Sequence, residues 1–167
     1  MKAMSLPLAL LGLVCIASAD SLKSEIQSFD VKIDSAMRKN DMASFTKLMK
    51  SGATSDFKYS EAGQTMGFEQ MLAMMKQGMA MMKKITQVKS ELLSLRTAKG
   101  RAEGTTSHLM AGTIIGPDKH VHTMKFVGES LDVYRKEGGT WKMASMTWKH
   151  NQSYMDGKPM DMSKMGK

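Results

Sequence analysis

Residues 133–148 read VYRKEGGTWKMASMTW, and this stretch decides the fold. At its centre, the pair Gly138-Gly139 separates two segments rich in β-branched and aromatic residues. A two-residue hairpin turn needs positive φ angles, which glycine adopts without steric cost. The stretch therefore predicts two antiparallel strands joined by a tight turn, with Glu137 opposite Thr140.

The turn also predicts which side chains share a face. Counting outward pairs Tyr134 with Met143, Asp132 with Ser145, and Ser130 with Thr147. One face then carries a mostly polar set: Ser130, Asp132, Tyr134, Trp141, Ser145 and Thr147. The other face carries an apolar set: Leu131, Val133, Ala144, Met146 and Trp148.

These two faces allow two interpretations. Uniformly apolar faces are usually buried, which would place the polar set against solvent or a partner subunit. Alternatively, the polar set lines an enclosed pocket, where a desolvated Asp132 beside Tyr134 would act as a base or a hydrogen-bond anchor.

The rest of the chain predicts three helices, a short strand and two more long strands. Apolar residues at steps of three and four from residue 22 to 37 predict a first helix ending near Asn40. Asp41 is the expected N-cap of a short second helix, which Gly52 ends as a left-handed residue. Residues 53–59 are a short strand, and 66–82 form the third helix. Residues 85–97, 105–115, 121–135 and 140–149 are four antiparallel strands.

The N-terminal residues 1–19 predict a signal peptide. Lys2 precedes the apolar run LPLALLGLVCIASA, which ends in the small-x-small pattern that signal peptidase accepts. Cleavage after Ala19 gives a secreted or periplasmic chain with no stable membrane insertion. It also removes the only cysteine, Cys15, so no disulfide is available. A lipoprotein anchored at Cys15 is the alternative, but Val14 stands where a small residue is needed.

Composition favours one globular domain over residues 20–154, followed by a Met-rich flexible tail at 155–167. The chain has 167 residues, of which 42% are hydrophobic and 24% charged. Its net charge of +8 comes from lysines scattered along the sequence. Scattered charge favours solubility rather than nucleic-acid binding.

The stretch MLAMMKQGMAMMKK at residues 71–84 raises the question of a soft-metal site. On a helical wheel its methionines occupy one broad face, opposite lysine and glutamine. Their sulfurs lie along four turns and do not converge, so we interpret Met71, Met75 and Met79 as deformable apolar lining. A better copper(I) candidate is the tail with His150, through Met155, Met160, Met162 and Met165.

The remaining candidate sites are weaker, and we predict neither a metal nor a cofactor. His120 and His122 have a spacing that metals use, but His108 lies about 16 to 23 Å along the ladder. Two histidines do not complete a zinc site. The sequence contains neither a G-x-S-x-G elbow nor a phosphate-binding glycine loop.

The order of elements resembles the nuclear-transport-factor-2-like superfamily, which includes SnoaL-like and ketosteroid-isomerase-like proteins. The phrases NDMASFTKLMKSGATSDFKYS, GFEQMLAMM and VYRKEGGTWKMASMTW carry the resemblance. It implies an α+β fold: a cone-shaped barrel of a curved antiparallel sheet, with three N-terminal helices packed on one face. It also implies a pocket between sheet and helices, and a homodimer.

The resemblance bears on catalysis as well. Ketosteroid isomerases place a carboxylate base in a stretch beginning Ala-Thr, where this chain offers Asp56 one position early. A one-residue offset turns a strand side chain to the opposite face. Other relatives carry histidines on the last strand, at positions occupied here by Ser145 and Thr147.

Three functional hypotheses follow. The first is a non-catalytic domain that binds a small hydrophobic molecule in a methionine-lined pocket, using Met71, Met75, Met79, Trp141, Ser145 and Thr147. The second is an isomerase-like enzyme with Asp56 or Asp132 as general base and Tyr59 or Tyr134 as hydrogen-bond donor. The third is a methionine-rich copper(I)-handling protein.

Overall fold

The computed structural model describes the backbone of residues 13–160 and the side chains of residues 20–160. The elements are α1 (Leu13–Arg38), α2 (Met42–Gly52), β1 (Ala53–Glu61), β2 (Gln64–Gly67), α3 (Phe68–Ala80), β3 (Met82–Ala98), β4 (Arg101–Ile115), β5 (Val121–Glu137), β6 (Thr140–Met155) and β7 (Lys158–Met160). Residues 1–12 of the predicted signal peptide and 161–167 of the predicted tail lie outside the described residues. Among the helices described, none is both long and apolar enough to cross a membrane.

The helices follow the sequence pattern closely. Leu22 and Ile26 bury one side of α1, and α1 ends two residues before Asn40. Asp41 caps α2 as predicted, because its side chain accepts a hydrogen bond from the Ser44 N–H at 3.0 Å. The third helix is shorter than predicted, since Gly67 and Met82 belong to the flanking strands.

The role predicted for Gly52 is wrong. It is the last residue of α2 and does not adopt a positive φ angle. Instead, the ring of Phe29 on α1 occupies the space that a Cβ atom at this position would need. A larger residue here would have to displace the Phe29 ring, so glycine allows the two helices to pack closely.

The strands form one seven-stranded sheet, which confirms the predicted fold class with one correction. Its order is β2-β1-β6-β5-β4-β3, with β7 paired to the far part of β6. All neighbours are antiparallel except β1 and β6, which run parallel through pairs such as Lys58 with Ser145. The sheet is therefore mixed, and it is not closed because β2 and β3 are its two edges.

The closing hairpin is confirmed near its turn. Gly138 and Gly139 have φ angles of 61° and 83°, Glu137 pairs with Thr140, and Tyr134 pairs with Met143. Beyond that point the predicted register is wrong, because β6 contains a bulge at Ala144.

The bulge changes which β6 side chains accompany Asp132. Asp132 pairs with Met146, and Ser130 pairs with Trp148, so Met146 and Trp148 share their face. Ser145 and Thr147 turn to the opposite face. One inserted residue has this effect because side chains on a strand alternate with a period of two.

We call the side of the sheet that α1 and α3 cover the inner face. Ser130, Asp132 and Tyr134 lie on it with exposed fractions of 0%, 1% and 5%. The interpretation that placed these three side chains against solvent or a partner is therefore wrong. The expectation of one uniformly apolar buried face is wrong as well, because Met146 and Trp148 lie beside the polar residues.

The methionines of α3 pack into the core. Met71 is buried against Phe57 and Tyr59 of β1, and Met79 is buried against β3 residues. Met74 and Met81, at the margins of the predicted buried arc, are 38% and 58% exposed. The buried arc of the helix is thus narrower than the full run of methionines.

Candidate functional site

Two aspartates interrupt the apolar stripe of α1. Asp30 and Asp34 follow Ile26 at successive steps of four, so all three lie on one side of the helix. Asp34 is buried and accepts two hydrogen bonds from Ser90 of β3, from the backbone N–H at 2.7 Å and from the hydroxyl at 2.8 Å. Asp30 is half-buried, and its Oδ2 atom is enclosed without a hydrogen-bond partner.

Asp132 of β5 lies near these helix residues. Its carboxylate accepts hydrogen bonds from the Thr106 hydroxyl at 2.6 Å and the Ser130 hydroxyl at 2.8 Å. Burial raises the pKa of Asp132 to about 6, although these two hydrogen bonds oppose the shift. Burial, with the negative charges of Asp132 and Asp34, raises the pKa of Asp30 to about 7. Both carboxyl groups can therefore exchange protons near neutral pH.

His108 of β4 connects the two sides of this network. Its Nε2 atom lies 2.9 Å from the Ser130 hydroxyl, and its Nδ1 atom lies 3.4 Å from the Ser90 hydroxyl. Because Ser130 donates its own proton to Asp132, we place the histidine proton on Nε2. Burial lowers the pKa of His108 to about 4, so the ring is neutral at pH 7. Hydrogen bonds thus run from His108 through Ser130 to Asp132. The unprotonated Nδ1 atom faces the Ser90 hydroxyl, whose proton goes to Asp34.

Tyr134 completes the set, which we call the acid cluster: Asp30, Asp34, Ser90, Thr106, His108, Ser130, Asp132 and Tyr134. Burial and the nearby charges of Asp132 and Asp30 raise the pKa of Tyr134. Its hydroxyl is enclosed and lacks a hydrogen-bond partner among the described residues. The neighbouring Thr106 hydroxyl donates its proton to Asp132, so it cannot also donate to Tyr134, and the phenol proton of Tyr134 has no acceptor among the described residues.

A small cavity reaches Tyr134 from the end of the closing hairpin. It has a volume of about 130 Å³ and lies between α1, the end of α2 and the β5–β6 hairpin. We call it the hairpin-end cavity; its lining consists of Leu22, Glu25, Ile26, Phe29, Gly52, Tyr134, Trp141 and Met143. The walls are mainly apolar, while Glu25 and Tyr134 supply the ionisable groups.

Of the four predicted catalytic residues, the structure brings two together. Asp132 and Tyr134 belong to the acid cluster. Asp56 is exposed, and it accepts hydrogen bonds from Thr54 at 2.9 Å and from Arg135. These contacts lower the pKa of Asp56, with the Thr54 hydrogen bond as the main cause, so this carboxylate is a weak base.

Tyr59 lies in a separate network. Its hydroxyl donates to Glu61 at 2.6 Å and accepts a hydrogen bond from the Trp148 indole at 2.7 Å. Burial raises the pKa of Tyr59. Its proton is therefore engaged by Glu61 within β1, and the Trp148 hydrogen bond joins β1 to β6.

The predicted ligand-contacting residues are divided among three places. Trp141 lines the hairpin-end cavity, next to Met143. Met71, Met75 and Met79 pack against core side chains and do not line the hairpin-end cavity. Ser145 and Thr147 lie on the outer face of the sheet, where Thr147 is exposed.

The sequence analysis did not identify Asp30, Asp34, Ser90 and Thr106 as candidate residues, and it considered His108 only as a metal ligand. The signal for the aspartates was present, since two acids sit at steps of four within an apolar helix stripe. An ionisable residue on a buried helix face is rare unless it has a partner or a function. The strand residues gave a weaker signal in the sequence. His108 can be recognised as part of a site only when its neighbours on two other strands are known.

The candidate metal sites are far from this cluster. His122 lies between two carboxylates, with Nδ1 at 2.6 Å from Asp156 and Nε2 at 3.0 Å from Asp118. Among residues 20–160, no three His, Cys, Asp or Glu side chains are arranged to hold a metal ion. Met155 lies in β6 and Met160 in β7, while Met162 and Met165 are not among the described residues.

Comparison with known proteins identifies the architecture. No family model and no curated protein matches the chain. A conserved protein from Planctomyces limnophilus DSM 3776 is 19% identical and superposes with a TM-score of 0.60, covering 78% of this chain and 94% of its own. The protein LinA is 16% identical with a TM-score of 0.60, and the match covers 87% of this chain and 95% of LinA.

A third solved structure names the fold. A nuclear-transport-factor-2-like protein from Cytophaga hutchinsonii ATCC 33406 is 16% identical with a TM-score of 0.51, and the match covers 75% of this chain and 95% of that protein. Identities this low establish a shared fold and leave the chemistry open. From its helix order, its sheet topology and these superpositions, the chain has the nuclear-transport-factor-2-like fold.

Proposed function

We propose that the hairpin-end cavity admits a small, mainly apolar molecule with one oxygen acceptor, and that the acid cluster exchanges a proton with it. The observation that supports this most directly is a pair of enclosed, unpartnered polar atoms, the Tyr134 hydroxyl and Asp30 Oδ2. Enclosed polar groups without partners are costly and are concentrated at functional sites.

The chemistry of the cluster supports proton transfer. Asp30, with a pKa of about 7, is suited to act as a base or an acid at neutral pH. Tyr134 can donate a hydrogen bond to a carbonyl oxygen of the ligand, where negative charge develops as a neighbouring carbon loses a proton. Asp132 keeps Asp30 from ionising easily, and neutral His108 holds Ser130 against Asp132.

Cyclohexanone is a suitable probe, because it is a compact apolar ring with one carbonyl oxygen. In D₂O, proton NMR follows the loss of signal at the carbons next to the carbonyl as deuterium replaces hydrogen. We expect the protein to accelerate this exchange over buffer. Asp30→Asn and Tyr134→Phe should each lower the acceleration at least about tenfold, because general acid–base groups typically contribute more than that.

Asp56→Asn is the matched control, since Asp56 is exposed and outside the cluster. It should leave the exchange rate unchanged. If wild type and Asp30→Asn accelerate exchange equally, proton transfer by the cluster is refuted.

The alternative is binding without reaction, as in the first hypothesis from the sequence. The mainly apolar lining favours it, and the volume of about 130 Å³, below the range of about 300–1,000 Å³ typical of ligand sites, limits the ligand to a small molecule. In that case cyclohexanone resonances would broaden with the protein present, while exchange would proceed at the buffer rate in every variant. Met143 and Trp141 would then provide adaptable apolar contact.

We also propose that the mature protein is secreted or periplasmic and forms a homodimer. The first proposal rests on the apolar segment and cleavage pattern of residues 1–19. The second rests on the outer face of the sheet, which no helix among the described residues covers.

A further inference from the structure

A second, larger cavity lies at the opposite end of β5 from the acid cluster. It has a volume of about 570 Å³, within the range typical of small-molecule sites. We call it the turn-end cavity; its lining includes Thr86, Ala111, Thr123, Lys125, Tyr154 and Gly157. Lys125 is seven residues from Asp132 on β5, a separation of about 23 Å, and its side chain points to the outer face.

The cavity arises from small residues in one row of the sheet. Ala111, Lys125 and Tyr154 are direct cross-strand neighbours, so a short side chain lies beside two long ones. The next residue, Gly112, cannot be larger, because the Lys84 backbone and the Met82 side chain occupy its Cβ position. Thr86 lies in a bulge of β3 beside this row and forms the opposite wall.

The charge around the cavity is positive. Lys125 is its only ionisable cation, and it forms no ion pair with any of residues 20–160. Within residues 20–160, no carboxylate lines the cavity. The nearby Asp156 is already engaged, because one of its oxygens binds His122 and the other accepts two hydrogen bonds from Thr123. The net charge of +8 adds a general attraction for anions.

The remaining lining suits a flat, apolar ligand body. The floor is the backbone of Ala111 and Gly112, and the half-buried Tyr154 ring stands at one side. A planar group can contact the aromatic ring and the floor of small residues at the same time, so these two surfaces favour a planar ligand. We propose that the turn-end cavity binds a small planar molecule with an anionic group, using Lys125 as the countercharge and the Tyr154 ring as the apolar contact.

Two fluorescent dyes test this directly. 8-Anilinonaphthalene-1-sulfonate is planar and anionic, whereas N-phenyl-1-naphthylamine has the same ring systems without the sulfonate. Titrations at pH 7 should show tighter binding of the sulfonate. Lys125→Gln should weaken the sulfonate about fivefold and leave the neutral dye unchanged, since one partly exposed charge contact contributes about 1 kcal/mol.

Two further variants locate the binding. Ala111→Leu fills the floor and should abolish the binding of both dyes, with circular dichroism confirming that the fold is retained. Lys149→Gln removes an exposed lysine of β6 away from the cavity, so it should leave both titrations unchanged. The proposal is overturned if Ala111→Leu binds both dyes like wild type, or if Lys125→Gln and Lys149→Gln weaken the sulfonate equally.

Discussion

At the scale of single residues, Asp30 has the most strongly raised pKa of the carboxyl groups in the acid cluster. Its folded pKa of about 7 lies above the ordinary value of 3.8, so the folded state holds a proton that the unfolded state releases. The stabilisation from this proton is fully present below pH 3.8 and is lost as the pH rises through about 7. An ionised Asp30 therefore destabilises the protein in mildly alkaline solution.

Asp30→Asn removes that penalty. At pH 8 we expect the variant to melt at a higher temperature than wild type. The difference should correspond to an increase of about 1–2 kcal/mol in the free energy of unfolding, a value that allows for solvent screening of a half-buried group. At pH 4 the two proteins should melt alike. Thermal unfolding followed by circular dichroism measures both.

Asp56→Asn is the control, and it should change the melting temperature in the opposite direction. The pKa of Asp56 is lowered, so its stabilisation is present above pH 3.8 and is lost as the pH falls through its folded pKa. This variant should melt at a lower temperature than wild type at pH 8. If Asp30→Asn also lowers the melting temperature at pH 8, the burial argument for Asp30 is wrong.

Gly52 tests close packing between α1 and α2. Gly52→Ala places a methyl group against the Phe29 ring, and we expect a loss of about 1–3 kcal/mol, as in other overpacked cores. Gly78→Ala is the matched control in α3, because no atom lies within 4 Å of its Cβ position. There, alanine should stabilise the helix by up to about 1 kcal/mol. Urea unfolding gives both values, and similar losses in the two variants would contradict the packing argument.

At the scale of elements, His122 joins two turns. Asp118 lies in the β4–β5 turn and Asp156 in the β6–β7 turn, and His122 contacts both carboxylates. Only the protonated ring has two N–H donors, so both contacts need the imidazolium. These hydrogen bonds, above all the one that His122 donates to Asp156, raise the pKa of His122.

The pH dependence of this contact follows from that direction. Stabilisation by His122 is fully present below pH 6.5 and is lost as the pH rises through its raised folded pKa. We expect the Asp156 amide, which donates to the Thr123 carbonyl, to lose hydrogen-exchange protection over that rise. In His122→Gln, protection should be weaker and independent of pH across the same window; an identical pH profile in both proteins would refute the histidine contact.

Element by element, the sequence predicted the local features and missed one insertion. The Asp41 cap, the Gly138-Gly139 turn and the long strands depend on neighbouring residues, so their patterns were visible. The bulge at Ala144 depends on how β6 meets β5 and β1, and no local pattern marks it. That one residue decided which face Ser145 and Thr147 occupy, and hence which candidate residues could meet at a site.

For the same reason, only some residues of the acid cluster could be predicted from the sequence. Asp132 and Tyr134 stood out on one hairpin, but Asp30, Ser90 and His108 come from three other elements. Their grouping requires the position of α1 over β3 and the register of β3 with β4. Pairing between distant segments is a property of the whole fold, which composition and periodicity do not contain.

At the scale of the whole molecule, the uncovered outer face predicts a homodimer. Leu131 and Val133 are half-buried there, toward the hairpin turn and away from the turn-end cavity, and no helix among the described residues covers them. Contiguous apolar surface on a sheet is typical of a subunit interface. Analytical ultracentrifugation should give twice the mass of the mature chain, and Leu131→Lys should give the single mass. Lys142→Gln, on the same face near the hairpin turn, should remain dimeric; a monomeric wild type would disprove the prediction.

The parallel pairing of β1 with β6 has a consequence for the order of assembly. Strands β3 to β6 join neighbour to neighbour, so each hairpin can close over a short loop, whereas β1 must wait for a partner about ninety residues later in the chain. During synthesis or export, β1 emerges long before β6, the strand with which it pairs in parallel. We expect the meander to form first and the N-terminal half to dock last. Until then Asp30 and Asp34 remain in water, where an ionised carboxylate is fully solvated. The free-energy cost of desolvating the acid cluster therefore arises at the final step of folding.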